Sequence, residues 1–98
     1  MDDQATQKTL EGKSQEVKVL FFARAREIAG ISETTLNMEV TQSLKTIKDC
    51  VDRIIRQFPG LEEIRACMLI ALNQEYVDDS SIISDGDELA FIPPISGG

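Results

Sequence analysis

The residues best suited to chemistry are the last six, Pro93-Pro94-Ile95-Ser96-Gly97-Gly98. They follow Glu88-Leu89-Ala90-Phe91-Ile92, a run that reads as a strand. A strand ending in two prolines cannot continue its ladder, because neither has an N–H and each ring fixes φ. The chain must leave the sheet extended, and six extended residues reach at most about 20 Å. Gly97 and Gly98 lack Cβ atoms, so they can enter a slot too narrow for any other residue and present an unhindered carboxylate. With a pKa near 3.5 that carboxylate is ionised at neutral pH and is a poor electrophile, so acyl chemistry there needs prior activation. A small chain end is also what an ordinary frayed terminus looks like. What sets this one apart is its direct continuation from a core strand through a stiff proline stem to a slim tip.

The other side chains supply little chemistry. Histidine is absent, and the only two cysteines, Cys50 and Cys67, form no C-x-x-C pair. Zinc sites, Ser-His-Asp triads and Cys-His dyads cannot be assembled within the chain. Cys50 falls on an apolar helical stripe and Cys67 just precedes an apolar run, so both are expected to be buried small hydrophobes. Asp78, Asp79, Asp85, Asp87 and Glu88 do not have the spacing of a calcium loop and read as a solvated rim. Gly97-Gly98 has no following helix and is not a phosphate loop. Lys18, Arg24 and Arg26 lie near the first strand, where contact with a partner competes with simple solvation.

Seventeen acidic and ten basic residues give a formal charge of −7. Such a chain is repelled by phosphate backbones and anionic lipid, which argues against nucleic acid or a membrane surface and for a basic protein partner. No apolar run nears the roughly 20 residues of a membrane span, and the polar, acidic N-terminal segment lacks a signal-peptide plan, so a cytosolic location is expected. At 98 residues, 42% of them hydrophobic, one small core can form.

The elements that must hold the tail are legible from periodicity. Residues 1–16 contain little that could offset the entropy of ordering and are expected to form a mobile arm. The domain then runs over 17–92 and the extended tail over 93–98. Val17-Lys18-Val19-Leu20-Phe21-Phe22 is a strand with apolar residues on both faces toward its end. Arg24 to Ala29 is a short helix stopped by Gly30, and Leu36, Met38 and Val40 alternate as a half-buried strand paired with the first. Leu44, Ile47, Cys50, Val51, Ile54, Ile55 and Phe58 lay one stripe along a helix from an N-cap at Ser43 to Pro59-Gly60. A turn at Leu61-Glu62-Glu63-Ile64 leads to a strand over Met68 to Asn73, a short edge strand at Tyr76-Val77, a turn at Asp85-Gly86-Asp87 and the last strand. One long helix across one face of a mixed sheet buries both apolar surfaces, which defines an α+β domain.

The ending Ile92-Pro93-Pro94-Ile95-Ser96-Gly97-Gly98 behind Asp85-Gly86-Asp87-Glu88-Leu89-Ala90-Phe91 resembles that of the ubiquitin-like sulfur carriers that serve as small subunits of molybdopterin synthases. Val19-Leu20-Phe21-Phe22-Ala23-Arg24, Glu27-Ile28-Ala29-Gly30 and Ala71-Leu72-Asn73-Gln74-Glu75-Tyr76-Val77 support the resemblance, which spans about Val17 to Gly98. It implies a β-grasp fold and a functional atom at the Gly98 carboxylate. It also implies a partner-binding tail made of Phe91, Ile92, Pro93, Pro94, Ile95, Ser96 and Gly97. No cofactor or metal would be bound. A ubiquitin-activating-type adenylyltransferase and sulfurtransferase would use ATP to form an acyl-adenylate at Gly98, and sulfur from a persulfide donor would replace AMP. The resulting thiocarboxylate would enter the large synthase subunit and donate sulfur to a cyclic pyranopterin precursor. The small subunit would not itself be a catalyst, and two small and two large subunits would form a heterotetramer. A protein modifier joined to lysines through Gly98, a carrier serving thiamine or tRNA thiolation, and an interaction domain with an idle tip remain the competing readings.

Overall fold

A computed structural model describes residues 14–39 and 45–94. Strand β1 (Ser14–Phe21) leads into helix α1 (Ala23–Ala29), strand β2 (Glu33–Glu39), helix α2 (Ile47–Gln57) and a 3₁₀ helix (Pro59–Cys67). Strands β3 (Leu69–Leu72), β4 (Glu75–Val77) and β5 (Glu88–Ile92) complete the domain. The sheet order is β2-β1-β5-β3-β4, with β1 and β5 parallel and the other neighbours antiparallel. This is the expected α+β arrangement: a mixed sheet with helices across one face, the β-grasp topology.

Four details depart from the expectations. β1 begins at Ser14 rather than Val17, because Ser14, Gln15 and Glu16 pair with Glu39, Met38 and Asn37, so ladder hydrogen bonds extend the strand where side-chain burial does not. The long helix begins at Ile47, and its N-cap is Thr46, not Ser43. The Ile83 N–H donates to the Lys45 carbonyl at 3.0 Å and Thr46 bridges Ile82, so this stretch is committed to extended geometry and helix can start only after it. Thr46 then supplies a capping box: its N–H donates to the Asp49 carboxylate at 2.8 Å while its hydroxyl accepts from the Asp49 N–H at 3.4 Å. Ser43, Val40 and Leu44 lie outside the described residues.

The third departure is the Leu61–Ile64 turn, which is part of a nine-residue 3₁₀ helix. Isolated 3₁₀ segments of that length are uncommon. Leu61 is wholly buried and anchors this one, Arg65 pairs with Asp52 of α2, and Arg24 of α1 pairs with Glu63 at 3.2 Å. Gly60 permits close approach of α1, since a Cβ there would lie 2.8 Å from the Ile28 Cγ2. The fourth departure is Cys67, which is exposed, with Sγ 3.4 Å from the Ile64 carbonyl it donates to. It ends the 3₁₀ helix before the chain turns into β3. Cys50 is buried as expected, and burial pushes its thiol up to about 12.

The core unites Val17, Val19 and Phe21 of β1, Leu36 and Met38 of β2, Leu89 and Phe91 of β5 with Ile47, Cys50, Val51, Ile54 and Ile55 of α2. Ile54→Ala is expected to cost about 2–5 kcal/mol, since it removes a wholly buried side chain. That is a large share of a small domain's stability, and urea unfolding against wild type measures it. The Asp52 carboxyl is held below the usual carboxylate range by its hydrogen bonds from Arg65 and Lys48. A depressed folded-state pKa gives stability that is complete above the unfolded value near 3.9 and is lost as pH falls through the folded value. Asp52→Asn should therefore remove part of the wild type's advantage at neutral pH and nothing at low pH. The partly exposed pair limits that loss to under about 1 kcal/mol, readable from urea midpoints across pH.

Candidate functional site

The Gly86 conformation begins the construction of the tail's root. With φ at +87° it closes the turn before β5, and its N–H donates to the Glu16 carbonyl at 2.8 Å. Asp85 accepts from the Glu16 N–H at 2.7 Å, while Asp87 accepts from the Ser84 N–H at 2.7 Å and the Asn73 Nδ2 at 3.0 Å. The Asn73 Oδ1 accepts from the Glu88 N–H at 3.0 Å. These acidic residues therefore fasten β5 to β1 and to the β3–β4 turn. Asp78 caps its own turn by accepting from Ser80, which holds its carboxyl below the usual range. Among the described residues no group of His, Cys, Asp and Glu is placed to hold a metal.

Fastened in this way, β5 lies between β1 and β3 and points the chain's end away from the turn. Leu89 and Phe91 face α2 and are wholly buried, whereas Ala90 and Ile92 face the opposite side and are half-buried. Phe91 thus departs from its expected place among the partner-contacting residues: its ring has no surface to offer, because it packs edge to face on Phe21 at 5.7 Å. Ile92 stands opposite Leu69, Pro93 is buried and Pro94 is exposed. Ile95, Ser96, Gly97 and Gly98 lie outside the described residues.

The helices cover one face of the sheet, and among the described residues no element covers the face to which Ile92 belongs. The pairings Leu20↔Ala90, Ala90↔Ala71 and Ala71↔Tyr76 place one apolar row across four strands. Ile92 and Leu69 form the next row, nearer the tail, with Phe22 continuing the alternation of β1. Phe22, Leu69 and Tyr76 are 45%, 50% and 69% exposed, too wet for core residues of their size. Sequence reading did not single these three out. The available signal was Leu20-Phe21-Phe22, apolar on both faces in a chain whose single long helix can cover only one. Of the basic residues near β1, Lys18 pairs with Glu33 at 3.6 Å, and Arg24 with Glu27 at 3.1 Å and Glu63.

The topology defines a ubiquitin-like protein of the β-grasp class. The ThiS family matches residues 19–98, and the chain belongs to it. It is 48% identical over 99 residues to the Arabidopsis thaliana molybdopterin synthase sulfur carrier subunit, an alignment covering all of both chains. SAMP1 from Haloferax volcanii superposes with a TM-score of 0.74 at 25% identity, over 85% of this chain and 99% of that one. A chain from the complex of subunits 1 and 2 of the Helicobacter pylori molybdopterin-converting factor superposes with a TM-score of 0.60 at 26% identity, over 86% and 100%.

If the open face serves contact rather than folding, its exposed members are dispensable to stability. Leu69→Ser and Tyr76→Ser are expected to leave the urea midpoint nearly unchanged, within about 0.5 kcal/mol of wild type, in contrast to Ile54→Ala.

Proposed function

We propose that the chain is the sulfur-carrier subunit of a molybdopterin synthase, delivering sulfur as a thiocarboxylate formed at Gly98. The observation that carries this reading is the placement of the tail's root. β5 is fixed on both sides, ends at Ile92 on the rim of an exposed apolar face, and hands the chain to Pro93-Pro94 there. A partner docked on Leu69, Ile92 and Tyr76 would receive the tail at its own edge. The Helicobacter complex of subunits 1 and 2 supports a large-subunit partner for this chain.

The chemistry follows from what Gly98 lacks. Its ionised carboxylate cannot be attacked by a sulfur nucleophile until one oxygen is made a leaving group. An adenylyltransferase partner would bind ATP, transfer AMP to that oxygen and release pyrophosphate; the terminal sulfur of a persulfide donor would then displace AMP to give an acyl disulfide, and a thiol would cleave its S–S bond, leaving the thiocarboxylate on Gly98 and a disulfide on the donor side. The chain itself needs no bound cofactor for this. Within the large subunit the thiocarboxylate sulfur would pass to the pyranopterin precursor. A dithiolene requires two sulfurs and each carrier brings one, which accounts for two small subunits with two large ones. All partners are then cytosolic, and no helix among the described residues is long and apolar enough to cross a membrane.

Intact mass tests the reading directly. After incubation with the activating enzyme, ATP and a sulfur donor, the wild-type chain should gain the mass of one oxygen-to-sulfur exchange and then support molybdopterin formation by the large subunit. Deleting Gly98, or appending a residue after it, should abolish both while leaving the urea midpoint unchanged, since chain ends contribute little stability. Synthase activity surviving either change would refute the reading. Appearance of the chain on lysines of other proteins, with no sulfur gained, would favour a protein modifier instead.

A further inference from the structure

We infer that the outer edge of β2 is a strand-pairing surface for a second copy of this chain, held shut by Arg53, Glu33 and Glu39. The sheet order leaves β2 and β4 as the two edges. An edge strand presents unpaired N–H and C=O groups to any other edge, and a very short strand limits that exposure. β4 has three residues and is protected in this way, but β2 has seven. The Phe21 N–H donates to the Ser32 carbonyl at 2.8 Å, which fixes the alternation along the antiparallel β1–β2 ladder. Ser32, Thr34, Leu36 and Met38 turn their backbone groups toward β1. Glu33, Thr35, Asn37 and Glu39 turn theirs outward, and the side chains of all four are exposed.

One of these outward carbonyls is already taken. Arg53 of α2 reaches round the edge of the sheet: its Nη2 donates to the Asn37 carbonyl at 3.4 Å, and its Nη1 lies 3.9 Å from the Met38 Sδ. Two copies related by a two-fold axis would pair these edges antiparallel. The longest ladder sets Glu33 against Glu39 of the second copy and Thr35 against Asn37, and the reverse, so that the Asn37 carbonyl must accept from the second copy's Thr35 N–H. Sliding the copies by two residues sets Thr35 against Thr35 or Asn37 against Asn37, and Asn37 is still among the paired residues. The Arg53 guanidinium stands in the path of each of these ladders. The longest one is opposed a second time, because it brings Glu33 and Glu39 face to face at both ends, and like charges directly opposite each other across strands are destabilising. Lys18 offsets part of this from the β1 side, 3.6 Å from Glu33, while Glu39 lies at the other end of the strand. The formal charge of −7 on each copy adds repulsion at longer range.

The test removes the guards and then the surface. Wild type, Arg53→Ala and the triple variant Arg53→Ala/Glu33→Gln/Glu39→Gln are confirmed as folded by urea titration and compared by sedimentation equilibrium from micromolar to millimolar concentration. Wild type should stay monomeric and Arg53→Ala should dimerise reversibly. The triple variant should dimerise at least about tenfold more tightly than Arg53→Ala, because both Glu33–Glu39 oppositions are gone. Adding Thr35→Pro to the triple variant removes an outward N–H and none from the β1 ladder, a change that an edge strand accepts, and should return the chain to a monomer. A triple variant that stays monomeric, or that dimerises no more tightly than Arg53→Ala, would overturn the inference. Dimers that Thr35→Pro leaves intact would overturn it too, as would a wild-type chain already paired through β2. The measurement involves only copies of this chain, so its outcome is independent of the sulfur-carrier reading.

Discussion

The central placement of β5 is the constraint on which the rest of this protein depends. A chain that must end in a projecting tail would ordinarily end at a sheet edge, where the last strand is held on one side only. Here the last strand is inserted between β1 and β3, so both sides of its ladder are used and the tail starts from a strand held on both sides. The parallel β1–β5 pairing makes this possible, because it brings the end of β5 to the same side of the sheet as the end of β1. Parallel neighbours need a long crossover, and α1, β2, α2 and the following elements are that crossover. The acidic turn at Asp85-Gly86-Asp87 then sets where β5 starts, by bonding to the backbone of Glu16 and Lys18.

A second consequence is the asymmetry between the two faces of the sheet. The helices and the 3₁₀ segment pack on one face, and among the described residues no element covers the other. Phe22, Leu69 and Tyr76 remain wet on a protein carrying a charge of −7. Apolar contact area and acidic surroundings are a sensible combination for a reversible partner: the first supplies affinity once docked, while long-range charge favours encounter with a basic surface.

The strands and the apolar stripe of α2 were legible in the sequence, because periods of two and of three to four leave little room for another assignment. Boundaries set by long-range backbone bonding were not. Nothing local to Ser14, Gln15 and Glu16 announces a strand; they are recruited by the far side of β2. The α2 start is similar, since Ser43 and Thr46 are both competent caps and the choice was made by Ile82 and Ile83, which lie well downstream. Cys67 shows the same limit for burial: an apolar run beginning next to a residue does not carry that residue inside. At the site, the proline pair that ends β5 was readable from the residue order. The role of Phe91 was not, because alternation within β5 assigns it to the core only once the sheet's covered face is known.

Little side-chain chemistry is available in the domain's interior. Cys50 is buried with its thiol pushed up to about 12, so it carries essentially no thiolate at neutral pH, and the chain contains no histidine. What the domain contributes is geometry: a buried aromatic contact of Phe21 with Phe91 at the end of β5, and a proline pair that ends the strand's ladder. Specificity can then reside in the partners' channels, while the carrier needs only to fit them and to arrive at the right angle.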